Sequence, residues 1–369
     1  MNKLSCWNIN ELEFPQENRQ EQLKFLLNYS ILSPSRYNRQ PWKFRIVDDE
    51  TVEFFLDLQR HLPVADGFRF EMLFSAGAAL KLFLIAAEYF GFNTQTKMFP
   101  EPENRADMYA RVTLTEGGIR SSQAMLCREI TKRSTARSDF VQTNIESKII
   151  DELIKSISDF DEITLKMIDE DEEKKFIADI VEEADRRVAS KENYHQELKS
   201  WLRNNFSKNM DGLPGYAFGI SSLSSLLFPN LLYKRILDPI SGTKGRQFTE
   251  RAPLIAVIGT TNEINPFWLH TGGAFILLAL TAAKYKLTVS TYDLLFNVPE
   301  LSEKLKHYIE ETRYGAFYPR MIIRLGYALK RPQTPRRALN EFIINGEMLP
   351  PPPEGAIFGS EIYEETAGF

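Results

Sequence analysis

Ser33-Pro34-Ser35-Arg36-Tyr37-Asn38-Arg39-Gln40-Pro41-Trp42 joins two stretches of different pattern. Before it, Leu23 to Leu32 carries the apolar spacing of a helix; after it, Lys43-Phe44-Arg45-Ile46-Val47 reads as a strand. Two prolines in the run fix φ and remove backbone donors. Ser35, Asn38 and Gln40 set short polar groups on that stiffened backbone. A helix-to-strand corner of this make-up can hold a flat, polar-edged ring against its surface.

The run resembles the flavin-contacting corner of the nitroreductase family, FMN-dependent oxidoreductases whose pattern there is a Pro-Ser pair, then Asn, then Gln-Pro-Trp. The chain matches it at Pro34, Ser35, Asn38, Gln40, Pro41 and Trp42. The resemblance implies cofactor contact at Pro34, Ser35, Arg36, Asn38 and Gln40.

The chain has 369 residues, a length that predicts two domains or one large one, and 43% of them are hydrophobic. Lys and Arg number 45 against 50 Asp and Glu, a net charge of −5, so no basic stripe points to nucleic acid. Cys6 and Cys127 are the two cysteines, which implies no disulfide framework and a reducing compartment. Met1 to Phe14 lacks the apolar core of a signal peptide, and the apolar run Ala274 to Ala283 is short for a bilayer span. A soluble cytoplasmic protein is expected.

Ser75 to Tyr89 is echoed by Thr271 to Tyr285, 196 positions later. Gly77 aligns with Gly273, Ala78 with Ala274, Leu82 with Leu278, and Tyr89 with Tyr285. Both segments are apolar on all sides, which predicts buried helices whose small residues let two backbones approach closely. Strand patterns flank both: Thr51 to Leu56 and Ala110 to Thr115 in the first half; Ile163 to Ile168, Leu254 to Ile258 and Met321 to Leu325 in the second. The resemblance implies an α+β fold of two nitroreductase-like halves, each a mainly antiparallel sheet flanked by helices, joined as an intramolecular pseudo-dimer. Residues 1–120 form the first half in this reading, 121–345 the second, and 346–369 a Pro-rich tail. A lid insertion is expected at 195–245, with Ile220 to Tyr233 as the covering segment. Asp169 to Arg187 reads as a charged helix whose acidic run, Asp169 to Glu173, is a solvated N-terminus.

No glycine-rich phosphate loop is present. Lys132-Arg133-Ser134-Thr135-Ala136-Arg137 supplies cations and hydroxyls instead, and a bidentate guanidinium suits phosphate. The run is similar to the family's Arg-Arg-Ser-x-Arg motif. That likeness implies Arg133 and Thr135 (or Ser134) on the FMN phosphate and Arg137 near the flavin N1 and O2. Thr334-Pro335-Arg336-Arg337 resembles the family's C-terminal basic motif, which also reaches the phosphate; whether Arg336 or Arg337 does so is open. Ser290, Thr291 and Tyr292 stand where the family passes backbone N–H groups by the ring, with Tyr292 and Asp293 in place of the acidic-glycine pair of many members. The corner motif occurs in the first half and the basic motif in the second, so one composite site and one FMN per chain are expected.

His61, His195, His270 and His307 are scattered without metal-ligand spacing, and no G-x-S-x-G elbow is present. Trp7, Trp201 and Trp268 read as packing residues and Cys127 as a small buried hydrophobe. No catalytic acid–base side chain is required of this chemistry, since the flavin carries it. The function implied is transfer from NAD(P)H through FMN to a nitroaromatic or quinone-like acceptor in ping-pong fashion, the alternative being an FMN storage protein with an occluded flavin. Its partners are then small molecules; whether fused halves self-associate is open.

Overall fold

The structure is a computed structural model and describes residues 3–101, 103–117, 121–227, 229–230, 244–262, 265–311, 317–329 and 331–345. The expected Pro-rich tail at 346–369 lies outside them.

The first half opens with α1 (Arg19–Ser30), which the Asn18 side chain caps by accepting from the Glu21 N–H at 3.1 Å. Then come β1 (Trp42–Ile46), β2 (Thr51–Leu56), α2 (Phe70–Tyr89), β3 (Phe92–Met98) and β4 (Met108–Glu116). The second half follows with α3 (Ser147–Lys155), β5 (Ile163–Ile168), α4 (Asp171–Ala189), α5 (Glu192–Ser200), α6 (Gly245–Glu250), β6 (Leu254–Thr260), α7 (Asn265–Lys284), β7 (Thr288–Tyr292), α8 (Pro299–Ile309) and β8 (Tyr318–Gly326).

Each half holds a four-stranded antiparallel sheet, in the orders β1-β2-β4-β3 and β5-β6-β8-β7. These are the same order: in each, the third and fourth strands in sequence exchange places, and the long apolar helix links the second strand to the third. The α+β reading with two like halves therefore holds. The two expected helices are α2 and α7, buried against each other. Both are long and apolar enough to cross a membrane, yet 83% and 72% of their most apolar windows lie inside the protein.

Their approach is set by two glycines. A Cβ on Gly77 would lie 1.8 Å from the Leu269 carbonyl oxygen, and one on Gly272 would lie 1.9 Å from that of Phe74. The sequence echo aligns Gly77 with Gly273, but Gly273 instead faces the Phe160 ring. The symmetric contact thus uses the neighbouring glycine.

Two features differ from the sequence reading. The edge strand β3 was not expected, because its middle, Asn93 to Lys97, is polar and exposed and shows no apolar face. The insertion that contains the expected lid extends beyond 195–245 on both sides. It spans 169–253, between β5 and β6, where the first half has only the turn 47–50. The charged helix α4 belongs to it and packs Ile177, Ile180, Val181 and Ala184 into a second core beside Leu301, Leu305 and Phe317.

The halves exchange segments. The Phe44 N–H donates to Phe342 O at 2.9 Å and the Ile344 N–H to Phe44 O at 2.8 Å, so the chain after β8 runs parallel to β1 of the other half. The Ala136 N–H reaches Val289 O at 2.8 Å, laying the basic run along the edge of β7.

Candidate functional site

A cavity of about 320 Å³ opens where these exchanges meet. That volume is at the lower end of the roughly 300–1,000 Å³ usual for small-molecule sites. Its wall takes Pro34, Ser35, Arg36 and Asn38 from the first corner, Arg133, Ser134, Thr135 and Arg137 from the basic run, Ser290, Thr291 and Tyr292 from β7, and Arg336 from the C-terminal segment. Gln40 and Arg337 are not on the wall.

The corner is strained. Tyr37, Asn38 and Gln40 have φ of 53°, 55° and 55°. The left-handed region costs a residue other than glycine about 1–3 kcal/mol when the surroundings impose it, Asn least. Side-chain bonds impose it here. Gln40 N–H donates to Ser35 Oγ at 2.9 Å. The Gln40 amide donates to Asn38 O and Met210 O and accepts from the Arg337 N–H. The Asn38 amide donates to Gly212 O and Pro335 O. Both amides that the family resemblance aims at a ring are therefore engaged with protein partners.

Arg336 is spent in the same way. Its Nε donates to Ile31 O at 2.9 Å, Nη1 to Asn38 Oδ1 and Thr334 Oγ1 at 2.8 Å each, and Nη2 to Leu32 O and Ser33 O at 3.2 and 3.0 Å. It brings charge to the wall and ties the corner to the C-terminal segment. Arg337 turns away, donating to Gln40 O at 2.8 Å over the Phe342 ring.

Arg133 differs. Nη2 donates to Leu32 O at 3.1 Å and Nη1 weakly to Thr135 Oγ1, while its buried Nε has no partner among the described residues. Burial, then the nearby Arg336 and Arg137, depress its pKa to about 9. Arg137 lies over the Phe218 ring, and burial lowers it to about 10. Arg324, on β8, donates to Ser290 Oγ at 2.8 Å and to Phe248 O, and burial lowers it to about 10 as well. Burial and Arg137 bring Arg336 to about 10 against the opposing effect of Cys6. None of these four wall arginines is in an ion pair among the described residues. Arg133, Arg137 and Arg336 repel one another, with Arg324 buried beside the same cavity, a costly arrangement that an anion relieves.

Arg36 is the exception, because Glu71 and Asp293 neutralise it. Its charge is committed inside the protein.

Sequence reasoning missed several wall residues. Trp7, read as a packing residue, stands on the wall, its indole N–H donating to Thr334 O at 2.9 Å and its ring lying 5.0 Å from the Arg336 guanidinium carbon. Arg324 sits in a strand whose apolar run gave no sign of it. The insertion contributes Asp185, Tyr194, His195, Leu198, Leu213, Phe218 and Phe248 to the wall. By contrast, no described residue of Ile220 to Tyr233 is on it, and Leu223, Leu226 and Leu227 are exposed. Residues 228 and 231–233 of that expected lid lie outside the described residues. Among the described residues the cavity is covered by α4, α5, the segment Leu213 to Phe218 and α6.

No family model matches the chain. It is similar to two Mycobacterium tuberculosis proteins. "Putative NAD(P)H nitroreductase acg" is 23% identical over 329 residues, 86% of this chain and 94% of the relative. "Putative NAD(P)H nitroreductase Rv3131" is 23% identical over 341 residues, 88% of this chain and 91% of the relative. A solved BluB-like flavoprotein from Clostridium difficile is 12% identical, with a TM-score of 0.40 over 60% of this chain and 99% of its own; a likeness at that level carries no argument. The nitroreductase resemblance first visible at Ser33 to Trp42 thus extends, through the two mycobacterial proteins, along most of the chain.

Proposed function

We propose that the chain is an FMN-dependent NAD(P)H oxidoreductase of nitroreductase type, an intramolecular pseudo-dimer with one flavin between its halves. The observation that carries this reading is the wall itself: a strained polar corner from one half faces four arginines, all from the other, that are in no ion pair among the described residues. The donor set fits a phosphate ester. The Arg133 Nε, without a partner among the described residues, and the hydroxyls of Ser134 and Thr135 would hold the phosphate, with Arg336 adding charge. Arg137 and Arg324 would supply further positive potential, and a cation beside a redox ring favours its taking electrons. Bound FMN supplies hydride chemistry between NAD(P)H and an acceptor such as a nitroaromatic or quinone, in ping-pong order. The residues of the insertion exclude water from the cavity and limit what can enter. On this reading the protein is soluble and cytoplasmic, with small molecules as its partners.

A second reading, FMN storage with little turnover, draws on the same insertion, because Leu198, Leu213, Phe218 and Phe248 close one side of the cavity. An anaerobic titration with NADPH and NADH, following the oxidised-flavin absorbance, separates the two. Bleaching reversed by a nitroaromatic or quinone supports the oxidoreductase. A yellow protein that only dithionite bleaches supports storage, and a colourless protein that FMN cannot reconstitute counts against both.

A further inference from the structure

Arg36 presents Nε and Nη2 along one edge of its guanidinium. Such an edge ordinarily takes both oxygens of a single carboxylate. Arg105 shows the ordinary case, its Nε and Nη2 donating to Oδ1 and Oδ2 of Asp107 at 3.0 and 2.9 Å. On Arg36 two carboxyl groups divide the edge. Nε meets Glu71 Oε2 at 2.8 Å, and Nη2 meets Asp293 Oδ1. Nη1 is taken by Ala65 O at 3.0 Å. Glu71 comes from the first turn of α2 in one half and Asp293 from the end of β7 in the other. The three side chains are only 8%, 7% and 15% exposed, and all three line the cavity. Oxygens bonded to adjacent donors of one fork are close neighbours. Two carboxylate charges at that spacing, with one cation between them and little water, do not both persist.

We propose that Glu71 and Asp293 share a single proton across the edge of Arg36, and that this pair is a proton-holding group for reduction chemistry in the cavity. One cation, one carboxylate and one carboxyl make a neutral buried cluster. Burial pushes the Glu71 carboxyl well above its ordinary range; Arg36 opposes this, while Asp293 and Asp66 add to it. Asp66 is itself engaged, accepting from the Glu71 and Met72 N–H groups and pairing with Arg39 at 2.7 Å. The other titratable groups facing the cluster are Tyr37 beside Arg36, Tyr194 and Asp185 of the insertion, and Tyr292 on β7.

The role rests on the oxidoreductase reading. An acceptor that receives a hydride, whose two electrons originate in NAD(P)H, also needs one proton to become a neutral reduced product. The pair gives its proton to the acceptor oxygen or nitrogen. Two carboxylates then remain against Arg36, an unfavourable state that a proton from water relieves.

Infrared spectroscopy of the protein, FMN-loaded and FMN-stripped, tests the shared proton. A carboxylic C=O band is expected to persist at pH values well above the usual carboxyl range and to vanish in both Glu71→Gln and Asp293→Asn. If either variant fails to fold, the other gives the same reading. No such band, or a band that survives both substitutions, overturns the pair. The stripped protein needs no flavin for this reading, so failure to bind FMN would sink the oxidoreductase assignment and leave the band to be judged alone. The role is read in the acceptor-reduction step, expected to slow about 100-fold in Glu71→Gln, the usual share of a general acid, and to lose one limb of its pH profile. An unchanged rate and profile overturn the role.

Discussion

Arg336 Nη1 donates to Asn38 Oδ1 at 2.8 Å, joining residues 298 apart in the chain. The bond locks a left-handed asparagine of the first half to the C-terminal segment of the second. It also separates the arginines of the cavity into those that build it and those left to meet a ligand.

Arg336→Ala should therefore act on stability first. It orphans the carbonyls of Ile31 and Ser33 and the Asn38 Oδ1 among the described residues, while those of Leu32, Thr334 and Pro335 keep donors from Arg133, Trp7 and the Asn38 amide. Orphaned buried acceptors cost about 1–3 kcal/mol each, so a loss of about 3 kcal/mol or more is expected in chemical denaturation.

Arg133→Met should do the reverse. A buried cation without a carboxylate partner among the described residues is replaced by an apolar chain of similar length. The FMN-free protein should be as stable as the parent or more so. FMN affinity should fall about 100-fold, roughly 3 kcal/mol for a lost charge-assisted contact. Denaturation of stripped protein and flavin fluorescence titration check the two halves of this prediction.

Gly77→Ala and Gly272→Ala each place a methyl carbon inside a carbonyl of the facing helix, at 1.8 and 1.9 Å. A backbone contact cannot swing aside as a side chain can. The helices must separate, at about 3 kcal/mol or more, and the shared cavity should loosen with them. Thermal melts and FMN retention should fall together.

The Glu71 proton has a thermodynamic sign. Its folded-state pKa lies well above the ordinary 4.5. The folded protein therefore keeps a proton that the unfolded chain has lost, so this group's contribution to stability is full below pH 4.5 and declines as pH rises through the folded value. In the pH window just above 4.5, stripped wild-type protein should release this proton on unfolding, and Glu71→Gln should not. The difference between their stability–pH curves isolates it from the surface ion-paired acids Asp171 and Glu183, which shift the other way.

Glu197 docks the insertion on the other half. Its two carboxylate oxygens accept from the Val64 and Ala65 N–H groups at 2.9 Å each. Glu197→Ala should free α5 from the first half and speed FMN exchange at least several-fold, with about 1–3 kcal/mol lost in stability. Stopped-flow release of FMN measures it.

The long helices and the central strands were legible because their patterns are local: β-branched and aromatic residues in Thr51 to Leu56, continuous apolarity in Ser75 to Tyr89. The corner was legible because its residue types and spacing are unusual. The strand Phe92–Met98 was not, since an exposed edge buries little and its polar residues carry no period. Arg324 and Glu71, and the pairing of Asp293 with Arg36, were invisible for another reason. Each sits in or beside a core segment and gains meaning only when the sheets, α2 and the insertion converge on one cavity. Gln40 shows the opposite case, a motif residue whose amide this fold uses to clamp Arg337.

The central claim is that one cavity, walled by both halves, takes one FMN through its unpaired arginines. The most direct measurement is a titration of stripped protein with FMN, read by fluorescence quenching, in wild type and Arg133→Met. The account predicts saturation at one FMN per chain, competition by inorganic phosphate, and a weakening of about 100-fold in the variant. Two flavins per chain, no saturable binding, or equal affinity in wild type and variant would contradict it.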